Sequence, residues 1–212
     1  MITLKLYDKP EIETTTIDGK RHYLTPDGVF PSVTTVLSNK LDKSGLDAWR
    51  KKVGEEEADR IGKQAAHRGT AIHDMAEKYI LGEDYIKGHH PINLYTFSDI
   101  RRVIDNRITT VYGIEYPLWS RELNTAGRTD LIADFDGVLS IVDFKTSKRL
   151  KEEKYIESYF LQATCYAAMT NERLSTNIKQ ITIIIAVDHE EPQVFVKDTD
   201  DYFDKMRTIF TT

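Results

Sequence analysis

Gly127-Arg128-Thr129-Asp130-Leu131-Ile132-Ala133-Asp134-Phe135-Asp136-Gly137-Val138-Leu139-Ser140-Ile141-Val142-Asp143-Phe144-Lys145 is two apolar stretches joined by Asp136-Gly137. Asp-Gly between two such stretches is a strong hairpin signal, because the two-residue turn needs a positive φ at both positions. The spacing predicts strands over 128–135 and 138–144. Asp130 then lies near the start of one strand and Asp143 near the end of its partner, so their ends meet. Side chains alternate along a strand, which keeps Asp143 and Lys145 on one face with Phe144 opposite. Leu139-Ser140-Ile141-Val142 reads as a strand buried on both faces, and a charged pair leaving such a strand is costly unless it has a task. A surface hairpin with charged ends would give the same spacing, so the trio does not decide the matter alone.

Around this hairpin the chain has two characters. Residues 11–24 read as a smaller hairpin across Asp18-Gly19. Phe30-Pro31-Ser32 then opens a short helix capped by Ser32, with Val33, Val36 and Leu37 at helical spacing. A second short helix is expected over 45–53, with Leu46, Trp49 and Val53 on its buried side. Residues 55–82 read as one long helix, or two joined near Gly69. Their apolar stripe is Ile61, Ala65, Ile72, Ala76, Tyr79 and Ile80. Glycine inside a helix costs about 1 kcal/mol relative to alanine, so Gly69 is expected to serve close packing. A loop over 82–91 and a helix over 93–109 follow. Beyond them come a strand over 111–119, the central hairpin, a helix over 151–170 and a buried β-branched strand over 180–187. An edge strand over 194–196 and a helix over 199–210 close the pattern. The order, helices and then β-β-β-α-β-α, predicts an α/β fold: a central mixed sheet flanked by helices, with an N-terminal helical lobe.

The bulk properties narrow the classes. A chain of 212 residues, 40% hydrophobic and 30% charged, suits one domain or one domain with a lobe. Cys165 is the one cysteine, so neither an intramolecular disulfide nor a four-cysteine metal site can form. No run of about 18 apolar residues is present, so no membrane span is expected. The N-terminus carries neither a signal-peptide core nor a transit pattern, and a cytoplasmic setting in a bacterial or phage-infected cell is expected. A net charge of −5 argues against a protein that coats duplex DNA, but leaves an acidic metal site with local phosphate contacts open. Basic groups stand at Arg50-Lys51-Lys52, at Arg101-Arg102 with Arg107, and at Lys148-Arg149 with Lys151. Each can equally be a solvated helix face.

Hydrolysis of a phosphodiester needs an activated water and neutralisation of the developing charge. Divalent cations held by carboxylates supply both, and a lysine beside them can orient or deprotonate the water. Asp130, Asp143 and Lys145 fit that need. At these residues the chain resembles the PD-(D/E)XK nuclease superfamily. The likeness sharpens to its RecB-like branch through Gly69-Thr70-Ala71-Ile72-His73 upstream and Gln162-Ala163-Thr164-Cys165-Tyr166 downstream. Phe30-Pro31-Ser32-Val33-Thr34-Thr35-Val36-Leu37 further resembles mitochondrial genome maintenance exonucleases and related phage nucleases. Together these motifs cover roughly residues 30–170.

The resemblance implies a restriction-endonuclease-like core and Mg²⁺ or Mn²⁺ held by His73, Asp130, Asp143 and the Phe144 backbone carbonyl. Lys145 would position or activate the water. Gln162 and Tyr166, four apart on one helix face, would approach the site and the DNA strand. Glu115 would assist at the metal site, with Glu122 as the alternative acid. Arg128 reads as a phosphate contact or as the partner of an acid on the sheet. Ser147 reads as a phosphate ligand or a turn cap, and Lys148 follows as a DNA-contact candidate. A histidine or aromatic on an amphipathic helix is often only a core residue, and that reading stands beside His73 and Tyr166. The helical lobe is expected to wall the DNA channel, with Trp49 and Tyr79 either stacking bases or packing in the core.

The expected activity is a metal-dependent DNA exonuclease acting on single strands or DNA ends, housed in one nuclease domain over 1–212. Residues 1–110 would form the hairpin and lobe, and 111–212 the catalytic core. The alternatives are an endonuclease of the same superfamily, or a non-catalytic DNA-binding subunit. The last would be expected to have lost the Asp/Asp/Lys trio, which is whole here. No phosphate-binding loop of the Gly-x-x-x-x-Gly-Lys-Ser/Thr type occurs, so a helicase or a replication or recombination partner would have to supply any motor.

Overall fold

The structure is a computed structural model that describes residues 2–211. A six-stranded mixed sheet forms its centre. In chain order the elements are β1 (Thr3–Leu4), β2 (Glu13–Ile17), β3 (Lys20–Thr25), β4 (Gly28–Pro31), α1 (Val33–Lys40), α2 (Ser44–Val53), α3 (Glu55–Leu81) and α4 (Pro91–Arg107). Then follow β5 (Ile108–Ser120), β6 (Thr125–Phe135), β7 (Val138–Ser147), α5 (Glu157–Leu174), β8 (Gln180–Val187), β9 (Gln193–Asp198) and α6 (Phe203–Thr211). The main sheet runs β1-β5-β6-β7-β8-β9, and β2-β3-β4 make a separate small sheet. The β1–β5 and β7–β8 pairs are parallel; the other pairs of the main sheet are antiparallel.

The central hairpin turns where expected. Asp136 and Gly137 both take positive φ, 52° and 80°. Leu131 to Phe135 pair with Val142 to Val138. Both faces of β7 and β8 are covered, because β7 → α5 → β8 is a crossover that wraps a helix over one face. On that face Ile141, Ile181, Ile183 and Ile185 pack with Phe160, Leu161, Met169, Met206 and Phe210 of α5 and α6. On the other, Val142, Phe144, Ile184 and Ala186 pack with Ile72, Met75, Phe97, Ile100 and Ile104 of α3 and α4.

Several expectations change. Of the two readings of 55–82 the single long helix is the one that forms, and α3 ends at Gly82 in the left-handed conformation. Gly69 has no close-packing role, since a Cβ there would meet nothing within 4 Å. α2 forms where periodicity puts it, but no residue of it is buried; Leu46 is 53% exposed and Trp49 37%. Periodicity marks an apolar face without saying what covers it. β4 precedes the capped helix instead of belonging to it, and Ser32 does accept the Thr35 N–H as N-cap. Pro31 is tolerated because β4 is the edge of its small sheet. β1, only two residues long, is too short to show alternation. α5 and α6 begin later than predicted, each preceded by a single 3-10 turn.

Side-chain burial predicts a contrast that thermal denaturation will check. Ile72→Ala, at 0% exposure, should cost about 2–5 kcal/mol. Leu46→Ser should stay within about 0.5 kcal/mol of the native protein, as exposed substitutions do.

Candidate active site

The site forms where β6 and β7 part. Their pairing ends at Leu131 with Val142, although both strands continue. Phe144 then has no β6 main chain to bond. Its N–H donates instead to Asp130 Oδ2 at 2.7 Å, and its carbonyl accepts from His73 Nε2 at 3.0 Å. Two side chains thus take over an interrupted ladder, as buried backbone groups require.

Because a carbonyl cannot donate, His73 Nε2 must carry the hydrogen, and Nδ1 turns toward the acids. Nδ1 lies 3.2 Å from Asp130 Oδ1 and 3.6 Å from Glu115 Oε1. Donor atoms of His73, Glu115 and Asp130 lie within 4.8 Å of one another. Glu115 reaches this point from a strained backbone, with φ of +43°. Shifts in the β5–β6 register precede it in the strand, between Ile108 and Gly113. A non-glycine residue in this region is costly, and such strain gathers at functional sites. Burial opposes the charged form of His73, but the Asp130 carboxylate, with Glu115 beside it, carries its pKa up to about 11. Burial likewise opposes the Asp130 charge, and His73, Lys145 and the Phe144 N–H together hold it below its usual range.

Asp143 and Lys145 lie on the α5 side of β7, in ion-pair contact. Apart from the Lys145 ammonium, neither Asp143 carboxylate oxygen has a hydrogen-bond partner among the described residues, though its side chain is 2% exposed. Burial raises its carboxyl above the ordinary range despite the lysine. Burial also disfavours the Lys145 charge, yet Asp143 and Asp130 hold its pKa above the ordinary value. The Glu115 and Asp130 carboxylates and an imidazole lone pair, once Nδ1 is free, form a donor set that fits a hard divalent cation, whereas Asp143, an expected ligand, stands outside that group and does not line the cavity. The Phe144 carbonyl differs from expectation in that His73 Nε2 already engages it.

A cavity of about 570 Å³ opens over these groups. Gln162, Tyr166 and Arg128 line it with His73, Glu115, Asp130 and Lys145. Arg128 has no acid partner among the described residues. Tyr166 is buried against β6, and only glycine permits this: a Cβ at Gly127 would stand 2.7 Å from its ring. Sequence reasoning missed Thr14, Arg21 and Tyr23 of the small sheet, and Thr34 of α1, which wall the same cavity. It also missed Tyr159, whose ring lies 5.3 Å from the Lys145 ammonium. The Phe30-to-Leu37 resemblance was the one signal pointing at this region. The expected wall of helices is therefore shared with a β-sheet.

Other candidates lie elsewhere. Ser147 caps a turn, bonding the carbonyl and N–H of Arg149, and neither it nor Lys148 lines the cavity. Glu122 pairs with Arg207. Tyr79 bonds Asp105 and packs against Tyr85 and Phe97. Arg50 pairs with Glu55 and Asp59, Arg102 with Asp99 and Glu191, and Arg107 with Asp136, so these basic groups are largely neutralised.

The profile of the PD-(D/E)XK nuclease superfamily matches residues 40–212. Mitochondrial genome maintenance exonuclease 1 of Homo sapiens is 27% identical over 155 residues, 68% of this chain and 44% of that protein. Its Xenopus tropicalis counterpart is 25% identical over 175 residues, 77% of this chain and 50% of that protein. The chain thus spans about half the length of the curated relatives it matches. A solved structure of a candidate exonuclease from Eubacterium rectale is 12% identical at a TM-score of 0.49, over 68% of this chain and 64% of that one.

Since the His73 pKa stands near 11 without a cation, the residue is protonated at neutral pH. Binding a cation at Nδ1 must expel that proton, and affinity should rise with pH. Calorimetry at pH 7.5 in buffers of different ionisation enthalpy should show about one proton released per ion bound. Release of none would remove His73 from the ligand set.

Proposed function

Because this chain belongs to the PD-(D/E)XK nuclease superfamily, we propose that it is a metal-dependent deoxyribonuclease that degrades DNA from its ends and prefers single strands. The observation that carries this reading is the convergence of His73, Glu115 and Asp130 on one point, beside Asp143 and Lys145. Mg²⁺ or Mn²⁺ would be held by His73 Nδ1 and the carboxylates of Asp130, Glu115 and Asp143. The Phe144 carbonyl could join only by giving up His73 Nε2. When bound, such an ion supplies positive charge at the phosphate and acidifies a water.

The remaining work falls to the chain. Lys145, whose charged form Asp143 and Asp130 favour, supplies a donor and a positive charge at the site. It orients the attacking water and steadies charge on the phosphate. Arg128, free of acid partners at the cavity wall, contacts a phosphate of the strand. Burial holds the Tyr166 hydroxyl protonated, so beside Gln162 it serves as a donor. A cavity of about 570 Å³ receives one ligand-sized group at a time, which suits a strand entering singly. The end preference draws on the RecB-like motifs and on the relatives, which are named exonucleases.

We treat 1–212 as one nuclease unit, because His73 comes from the first half and the acids and Lys145 from the second. A helicase or recombination partner would have to open any duplex.

Asp143→Asn and Lys145→Met should each lower cleavage by at least about 10²-fold while the protein still melts cooperatively. Full Mg²⁺-dependent activity in either variant would show the site to be wrongly assigned. With linear single strands labelled separately at each end, products should appear from an end, and EDTA should stop them. A circular strand should stay intact; its cutting would turn the reading to an endonuclease.

A further inference from the structure

α2 departs furthest from its sequence pattern. Leu46 and Trp49 stand about one helical turn apart, both exposed. An apolar helix side left in water calls for an occupant. Beside Leu46 is a cavity of about 340 Å³, whose apolar lining is Leu37, Leu41, Leu46 and Tyr159. Ser38 and Ser158 edge it, with Asp42, whose carboxylate is engaged by the Ser44 N–H and hydroxyl, and Lys43, which has no ion-pair partner among the described residues. This cavity shares Thr34 and Gln162 with the one over the metal donors. Tyr159 joins the two from below, since its ring also faces the Lys145 ammonium.

Resting on the nuclease reading above, we propose that the pocket between α1, α2 and α5 takes an unpaired nucleobase adjoining the phosphate that is cut. Continuity with the phosphate-binding cavity favours a base over a peptide or a second copy of the chain. So does the chemistry: an aromatic ring with aliphatic walls takes a base face, hydroxyls and an amide meet its edges, and a free lysine at the mouth meets the next phosphate. The volume exceeds the roughly 300 Å³ at which ligand pockets begin. A base cannot enter this pocket and remain paired, so the subsite is a physical source of preference for single strands. It also gives the exposed Leu46 of α2 a partner.

The test compares the native protein with Leu46→Ser on single-stranded oligonucleotides bearing one abasic residue at each successive position from the end. In the native protein, one abasic position beside the cut should raise KM about tenfold, the loss expected for one stacked base. Leu46→Ser should raise KM on the unmodified strand and add nothing at that position, because the two changes remove one interaction. If no position is sensitive, or if Leu46→Ser acts equally on every strand, the subsite is refuted while the nuclease reading stands. A concentration-dependent dimer in sedimentation, lost in Leu46→Ser, would assign the face to a second copy and also refute it. If the native protein cleaves no strand with either Mg²⁺ or Mn²⁺, the nuclease reading falls and the subsite with it.

Discussion

The structure depends on one interruption. β6 and β7 are a tight antiparallel pair from Leu131–Val142 down to the Asp136-Gly137 turn, and beyond that pair they separate. A ladder that continued would have satisfied Phe144 with main chain and closed the gap. Separation leaves an amide and a carbonyl to be met by side chains, and Asp130 and His73 meet them. The same bonds therefore close the sheet and hold the two residues in position. The gap admits Tyr166, which lies against the strand only because residue 127 is glycine. Sheet geometry and site geometry are one constraint here.

Such a site gathers charge where burial penalises it. Asp130 is sustained by His73, Lys145 and an amide; Lys145 by both aspartates. Asp143 is the least satisfied member, buried with the Lys145 ammonium as its one partner among the described residues. An arrangement that leaves one carboxylate short of partners makes poor sense as a stabilising device, because a whole buried ion-pair cluster is often replaced by apolar residues of the same volume without loss of stability. It makes better sense as a site arranged to receive a cation. The left-handed backbone at Glu115 is a second local cost of the same kind, stored in a strand whose register is shifted just before it.

Much of the fold was legible because its signals are local. Asp18-Gly19 and Asp136-Gly137 fold as turns with positive φ at both residues, as their chemistry demands. Gln180 to Val187 is the buried strand its β-branched run predicts. The face shared by Asp143 and Lys145 follows from the two-residue period of a strand. What escaped was relational. The exposure of α2 depends on which element packs against it, and α2 packs against the polar surface of α3 near its start. Arg21, Tyr23 and Thr34 join the cavity wall because the small sheet docks on β6, with Ser32 bridging to Ala126. No spacing within those segments announces that docking.

The sequence by itself determined the hairpin, most of the order of helices and strands, and the kinds of side chain available for chemistry: two acids and a lysine on the hairpin strands, a histidine on the long helix, a glutamine and tyrosine on the helix after the hairpin. The hairpin and the elements follow from turn geometry and from periods of 2 and 3.6, which need no knowledge of the rest of the chain; the histidine, glutamine and tyrosine stood out through the family resemblance. Only the tertiary structure decided which acid stands with His73, namely Glu115 rather than Glu122. It also decided that Ser147 serves its own turn and that an apolar helix face stays open beside the site. The choice of Glu115 and the open helix face depend on distances between segments far apart in sequence, set by how two helical layers pack on one sheet, whereas the Ser147 turn is local and was one of two uses its position allowed.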